Sequence, residues 1–165
     1  MSAQSPALRE AAERLVRCAK SQGRSVATVE SCTAGALACL LADAEGASDV
    51  FHGGFVVYTK AAKSAAVGVP PELIEEHTAV SREVALAMAR GALERLPADV
   101  VVAVTGVAGP DPDEDGNPVG LVHIAAVSRN GELHVERRFG QRAKEEVLQE
   151  TIGESLNLLL ELVAA

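Results

Sequence analysis

VATVESCTAGAL, from Val26 to Leu37, is the stretch whose reading decides the fold. An apolar β-branched run stops at Glu30-Ser31, and small residues then open an alanine- and leucine-rich helical stretch. Ser31 therefore falls at a strand-to-helix turn. The unpaired N–H groups at a helix start carry the positive end of the peptide dipole, so such a turn can hold an anion or a developing oxyanion. A hydroxyl placed there is a helix cap or a nucleophile. Taken alone, the stretch favours the cap, because Ser, Thr and Asp commonly sit at helix starts for stability.

Working outward, Leu8 to Ala19 has apolar residues at helical spacing and ends near Gly23, which predicts a first helix before a strand at Ser25 to Val29. A second helix is expected from Ala34 to Ala42. GGFVVYT, Gly53 to Thr59, reads as a buried strand, followed by a short helix broken at Gly68 and Pro70. Pro71 to His77 reads as another helical turn or two. Ser81 is placed to cap a helix whose apolar periodicity runs through Val84, Leu86, Met88 and Leu93 and stops before Pro97. Val100 to Val104 is the plainest strand. After a Gly/Pro/Asp-rich loop from Gly106 to Pro118, VGLVHIAAVS and ELHVERRF, joined at Asn130-Gly131, read as an antiparallel hairpin. Lys144 to Leu162 forms a long terminal helix. Helices alternating with strands apolar on both faces predict an α/β fold, a three-layer α/β/α sandwich with a mixed, mostly parallel sheet. No repeat or linker divides residues 1–165, so a single domain is expected.

Composition narrows the function classes. At 165 residues a single chain buries roughly 70% of its unfolded surface and needs no staple. Cys18, Cys32 and Cys39 are odd in number and form no CxxC or Cys/His cluster, which argues against a disulfide framework or zinc site and fits a reducing compartment. No apolar run reaches the ~20 residues of a membrane span, and MSAQSPALREAAERL has no signal-peptide pattern, so a cytoplasmic protein without membrane contact is expected. With net charge −8, no Trp and 2% aromatics, the chain offers neither a basic surface nor stacking rings for nucleic acid.

Three constellations can carry chemistry. The first is Glu30, Ser31, Cys32 and Thr33 with Gly35; Cys32 lacks a nearby histidine in sequence and reads as a small buried hydrophobe, leaving Ser31 the better nucleophile. The second is Tyr58, the lone tyrosine, and Lys63 one turn into the next helix. Lys63 is an ordinary solvated lysine, or it turns inward and takes the Ser31 proton with Tyr58 assisting. The inward role requires its pKa to fall from about 10.4 toward about 7.5, some ~4 kcal/mol of differential solvation. The third is VTGVAGPDPDEDGNPVG, where Thr105 and Gly106 end a strand and glycines let backbone approach a ligand. Its acids, Asp111, Asp113, Glu114 and Asp115, lack EF-hand spacing and read as solvated loop charge, and the scattered histidines form no metal motif.

Together, ESCTAG (30–35), GGFVVYTKAAK (53–63), the Gly68-Val69 break, AVS (79–81), TGVAGP (105–110) and PVG (118–120) resemble the CinA carboxyl-terminal domain family, in order and over nearly the whole chain. The family includes stand-alone nicotinamide-nucleotide amidohydrolases of the PncC type, and the resemblance implies hydrolysis of the carboxamide of nicotinamide mononucleotide to nicotinate mononucleotide and ammonia. It implies Ser31 as nucleophile, Lys63 as general base and Tyr58 as their positioning partner. Glu30, Cys32, Thr33, Gly35, Thr105 and Gly106 are implied around the nucleotide. No metal or organic cofactor is required by that chemistry. The longer members carry a further amino-terminal domain, for which 165 residues are expected to leave no room. The expected partner is a small-molecule nucleotide, and family habit implies a homodimer or higher homo-oligomer.

Two positions depart from the family pattern. Lys60 stands where many relatives have asparagine, either depressing the Lys63 pKa or pointing to solvent. In the segment after Phe139-Gly140, Lys144 and Leu148 occupy places where relatives usually carry arginine, and Arg142 substitutes only with a shifted register. An arginine fork lost there weakens phosphate binding more than hydrolysis. The alternatives are an amidase for another small amide, or a non-catalytic competence- or damage-associated protein that binds a nucleotide or protein partner.

Overall fold

The computed structural model describes residues 5–165. Residues 1–4, the start of the segment read above for a signal pattern, lie outside the described residues.

Helix α1 (Pro6–Gln22) begins where the Ser5 hydroxyl accepts the Leu8 N–H and stops at Gly23, whose φ of 61° is the left-handed turn expected after a helix. Its buried residues, Leu8, Ala12, Leu15, Val16 and Ala19, recur every three or four positions. Strand β1 (Val26–Glu30) is buried throughout, and helix α2 (Ala36–Ala42) follows it. A 3₁₀ turn at Ala47–Asp49 leads to β2 (Phe51–Val56). Helices α3 (Lys60–Val67) and α4 (Pro71–His77) come next; Thr59 caps α3, and Gly68 ends it at φ 71°. Ser81 caps α5 (Arg82–Arg95) as its position implied. Strands β3 (Val100–Gly106), β4 (Leu121–Ser128) and β5 (Gly131–Arg138) then precede the terminal helix α6 (Lys144–Ala164).

The five strands form one sheet in the order β2-β1-β3-β4-β5. The β1–β2 and β1–β3 ladders are parallel, and the β3–β4 and β4–β5 ladders are antiparallel, so β4 alone runs against the others. Alternation along the strands divides the core. Val26, Val100, Val102, Val104, Val122 and Ile124 face α1, α2 and α6, while Ala27, Val29, Val101, Ala103, Ala125 and Val127 face α3, α4 and α5. That is the three-layer α/β/α sandwich, each face contributing roughly 1.5–3 kcal/mol per fully buried large aliphatic side chain. No helix among the described residues is long and apolar enough to cross a membrane.

Strand β2 corrects the expectation of a buried strand. It is an edge strand whose residues alternate between half-buried and exposed, and it ends at Val56 rather than Thr59. Its pairing with β1 ends with the Val57 N–H donating to the Glu30 carbonyl, and Thr59 then turns to cap α3. The chain leaves β1 toward β2 and leaves β3 toward β4, so connections diverge between neighbouring parallel strands. A crevice opens at their carboxyl ends, the place where α/β sheets hold ligands.

Candidate active site

Ser31 is the first residue after β1, and its N–H is tied to the Val104 carbonyl of β3 at 3.0 Å. The turn that follows passes through Ala34, a non-glycine residue at φ 50°, and Gly35 at φ 92°. Such backbone strain gathers where surrounding structure fixes a site. Here the restraint is Glu30. Its carboxylate, fully buried, accepts the N–H groups of Gly35 at 3.0 Å, Leu37 at 3.1 Å and Ala38 at 2.7 Å, with the Thr28 hydroxyl at 3.4 Å.

This arrangement overturns two expectations. Ser31 is not the cap of α2, because Glu30 performs that task from the end of β1. The N–H groups at the start of α2 are likewise not available to a substrate anion, because a carboxylate of the chain already occupies them.

The Ser31 hydroxyl turns instead to Lys63. Lys63 Nζ donates to Ser31 Oγ at 2.9 Å and to the Val57 carbonyl at 3.0 Å. Lys63 is only 2% exposed, although it lies on a short surface helix. It is buried because α3 follows β2 after a brief connection, which aims the first full turn of the helix back over the end of β1. Loss of hydration, the larger effect, lowers its pKa to about 8, and the neighbouring Cys32 opposes the shift. Lys60 contributes nothing to that shift: it points away, to the β3–β4 connection, where Glu114 and Asp115 hold it charged.

Ser31 and Lys63 open onto a cavity of ≈ 560 Å³ at the carboxyl ends of β1 and β3. Cys32, Tyr58, Thr105 and Gly106, all singled out from the sequence, also line it. Burial pushes the Cys32 thiol up to about 12, so it is a protonated wall and not a competing nucleophile. Tyr58 is 65% exposed and makes no hydrogen bond to Ser31 or Lys63. The Thr105 hydroxyl donates to the Ala79 carbonyl at 2.7 Å and so fixes the α4–α5 linker as a second wall.

The remaining candidates lie elsewhere. Glu30, Thr33, Gly35 and Arg142 do not line the cavity. Thr33 Oγ1 is a buried side-chain oxygen without a hydrogen-bond partner among the described residues. Lys144, at the start of α6, reaches the cavity in place of Arg142, and the loop acids Asp111, Asp113, Glu114 and Asp115 line it too. Asp111, Glu114 and Asp115 are exposed, in keeping with solvated loop charge, and what the sequence reading lacks is their place on the cavity wall. The signal that could have found them is positional, since their loop leaves the carboxyl end of β3, where a ligand crevice was already expected.

A three-layer sandwich with a serine and a desolvated lysine meeting at its topological switch point defines an α/β protein with a serine–lysine site. The chain belongs to the CinA C-terminal domain family, which matches residues 8–163. It is 44% identical over 141 residues to a CinA-like protein of Synechococcus sp. (strain RCC307), covering 85% of this chain and 34% of that protein. It is 54% identical over 100 residues to a CinA-like protein of Mycobacterium avium (strain 104), covering 61% and 23%. The chain thus spans about a third or less of the length of these curated relatives. Among solved structures, the competence/damage inducible protein CihA from Agrobacterium tumefaciens matches with TM-score 0.93 at 42% identity, covering 98% of this chain and 99% of that one. A CinA superfamily protein from Escherichia coli matches with TM-score 0.89 at 35% identity, covering 94% and 90%.

Proposed function

We propose that this site hydrolyses a carboxamide, with nicotinamide mononucleotide as the substrate the family resemblance favours. The observation that carries the reading is the buried contact of 2.9 Å between Lys63 Nζ and Ser31 Oγ. A lysine with a pKa of about 8 is partly neutral near physiological pH and able to accept the serine proton. A non-catalytic binding module has no use for a neutral lysine against a serine hydroxyl.

In this reaction Ser31 Oγ attacks the carboxamide carbon while Lys63 takes its proton. The tetrahedral oxyanion faces backbone donors rather than the capped start of α2. The N–H groups of Ala108 and Gly109, on the cavity wall, have no backbone acceptor among the described residues, whereas those of Cys32 and Thr33 turn to the Cys32 thiol. Lys63 returns the proton to the departing nitrogen, which leaves as ammonia, and an ester on Ser31 remains. Water, deprotonated by Lys63, cleaves that ester and frees the carboxylate.

A second reading, an amide without phosphate, is favoured by the acids on the cavity wall and by Arg142 lying outside it. The test is incubation of the purified protein with nicotinamide mononucleotide in the presence of a chelator. Equal amounts of ammonia and nicotinate mononucleotide are expected, with both lost in Ser31→Ala. A folded protein that releases neither product at millimolar substrate would refute the nucleotide assignment.

A further inference from the structure

The connection between β3 and β4 is built as a strap tied on both flanks. Asp113 shapes it: Oδ1 accepts the N–H groups of Asp115 and Asn117, and Oδ2 accepts the Asn117 amide. The same amide donates to Thr78 Oγ1 at 3.1 Å, fastening one flank to the α4–α5 linker. On the other flank Lys60 Nζ, from the first turn of α3, meets Glu114 Oε1 and Asp115 Oδ1, each at 2.8 Å. Lys63, one turn further along α3, is the lysine that contacts Ser31.

The charge this leaves in the cavity is lopsided. Its lining holds four carboxylates, those of Asp111, Asp113, Glu114 and Asp115, against three lysines, Lys60, Lys63 and Lys144. With Lys63 neutral, as the proposed catalysis requires, the balance is four against two, and without Lys60 it is four against one. The Lys60 and Asp115 side chains are 37% and 23% exposed and that of Glu114 is 73% exposed, so the Asp115 pair is the less screened of the two and the effect is strongest at low salt.

We propose that Lys60 sets the charge class of amide the cavity admits: its one positive charge, shared between Glu114 and Asp115, offsets one of the wall's four negative charges and opens the site to an anionic amide. The inference rests on the hydrolase reading and gives Lys60 a role in specificity apart from catalysis. Ser31 and Lys63 do the chemistry, and Lys60 governs which substrates reach them.

The test compares nicotinamide mononucleotide with nicotinamide riboside, which lacks the phosphate, on wild type, Lys60→Gln and the triple variant Lys60→Gln/Glu114→Gln/Asp115→Asn. At low salt, Lys60→Gln should raise KM for the mononucleotide about fivefold and leave the riboside unchanged or improved. Added salt should shrink the difference. The triple variant removes the acids with the lysine and should recover the mononucleotide KM. Parallel loss on both substrates, or a triple variant no better than Lys60→Gln, would mean that Lys60 matters only for the shape of the strap and would overturn the proposal. If wild type turns over neither amide, the hydrolase reading falls by itself, and Kd values for the same ligands and variants, measured by calorimetry, decide the role of Lys60. No measurable binding of the mononucleotide to wild type would overturn both.

Discussion

A lysine ammonium that is 2% exposed has given up most of the water that stabilises its charge, and Lys63 meets little compensating anion. Its pKa falls from 10.5 to about 8. Between those values the unfolded chain binds a proton that the folded chain does not, so wild-type stability rises from pH 8 to pH 10.5. Below pH 8 the full penalty applies, about 3 kcal/mol. Lys63→Met, which carries no such penalty, should therefore be inactive yet more stable than wild type at pH 7, by up to about 3 kcal/mol, with the gain shrinking above pH 8. Thermal unfolding across that range checks it; a less stable Lys63→Met at pH 7 would mean that its hydrogen bonds outweigh desolvation. Glu30 works in the opposite sense. Glu30→Ala strips the acceptor from three N–H groups, one buried and two part-buried, and should cost about 1–3 kcal/mol in denaturant unfolding and lower kcat by loosening the Ser31 turn. Ser31 was legible in the sequence because a strand ending in small residues announces a turn. The part Glu30 plays was not, because a carboxylate that caps a helix from five to eight residues upstream is a product of tertiary geometry.

The elements that carry these residues are held by close contacts that a pattern of hydrophobic residues does not reveal. Helix α5 crosses the end of α3 at Gly91, where an added Cβ would overlap the Val67 carbonyl oxygen. Gly91→Ala should force α3 outward, cost about 1–3 kcal/mol in Tm-derived stability and displace Lys63 from Ser31, lowering kcat in a substitution far from substrate. The hairpin β4–β5 holds a different constraint. His123 and His134 place ring nitrogens 3.0 Å apart with rings stacked at 5.3 Å. Burial lowers both pKa values, and the two rings' proximity lowers His134 further; Glu136 and Glu83 oppose this, while Arg138 and Arg82 add to it. Because the folded values lie below 6.5, the unfolded chain takes up protons first as pH falls through that value, and stability declines on the acid side. His134→Gln should flatten that decline in unfolding measured from pH 7.5 to 5; an unchanged slope would show that other groups set it. Both strands of the hairpin were legible from the segments VGLVHIAAVS and ELHVERRF joined at Asn130-Gly131. The edge position of β2 was not, because GGFVVYT has the same apolar run that a central strand would have.

At the scale of the whole molecule, the fold follows from helices alternating with apolar strands, and the site follows from the strand order. Connections diverge between β1 and β3, and the crevice they leave collects residues separated by more than a hundred positions, from Ser31 to Lys144. That gathering explains why the strap's place at the site is not legible in the sequence: nothing local in DPDEDGN says that α3 supplies Lys60 on one side and the α4–α5 linker supplies Thr78 on the other. The central claim is that Ser31 and Lys63 act as one hydrolytic pair. It is tested most directly by the pH dependence of kcat for ammonia release from nicotinamide mononucleotide, in wild type and in Lys63→Met, between pH 6 and 10. The account predicts a wild-type rate that climbs with an apparent pKa of about 8, as Lys63 loses its proton, and no turnover in the variant at any pH. A rate independent of pH through that range, or a Lys63→Met protein with near wild-type turnover, would contradict it.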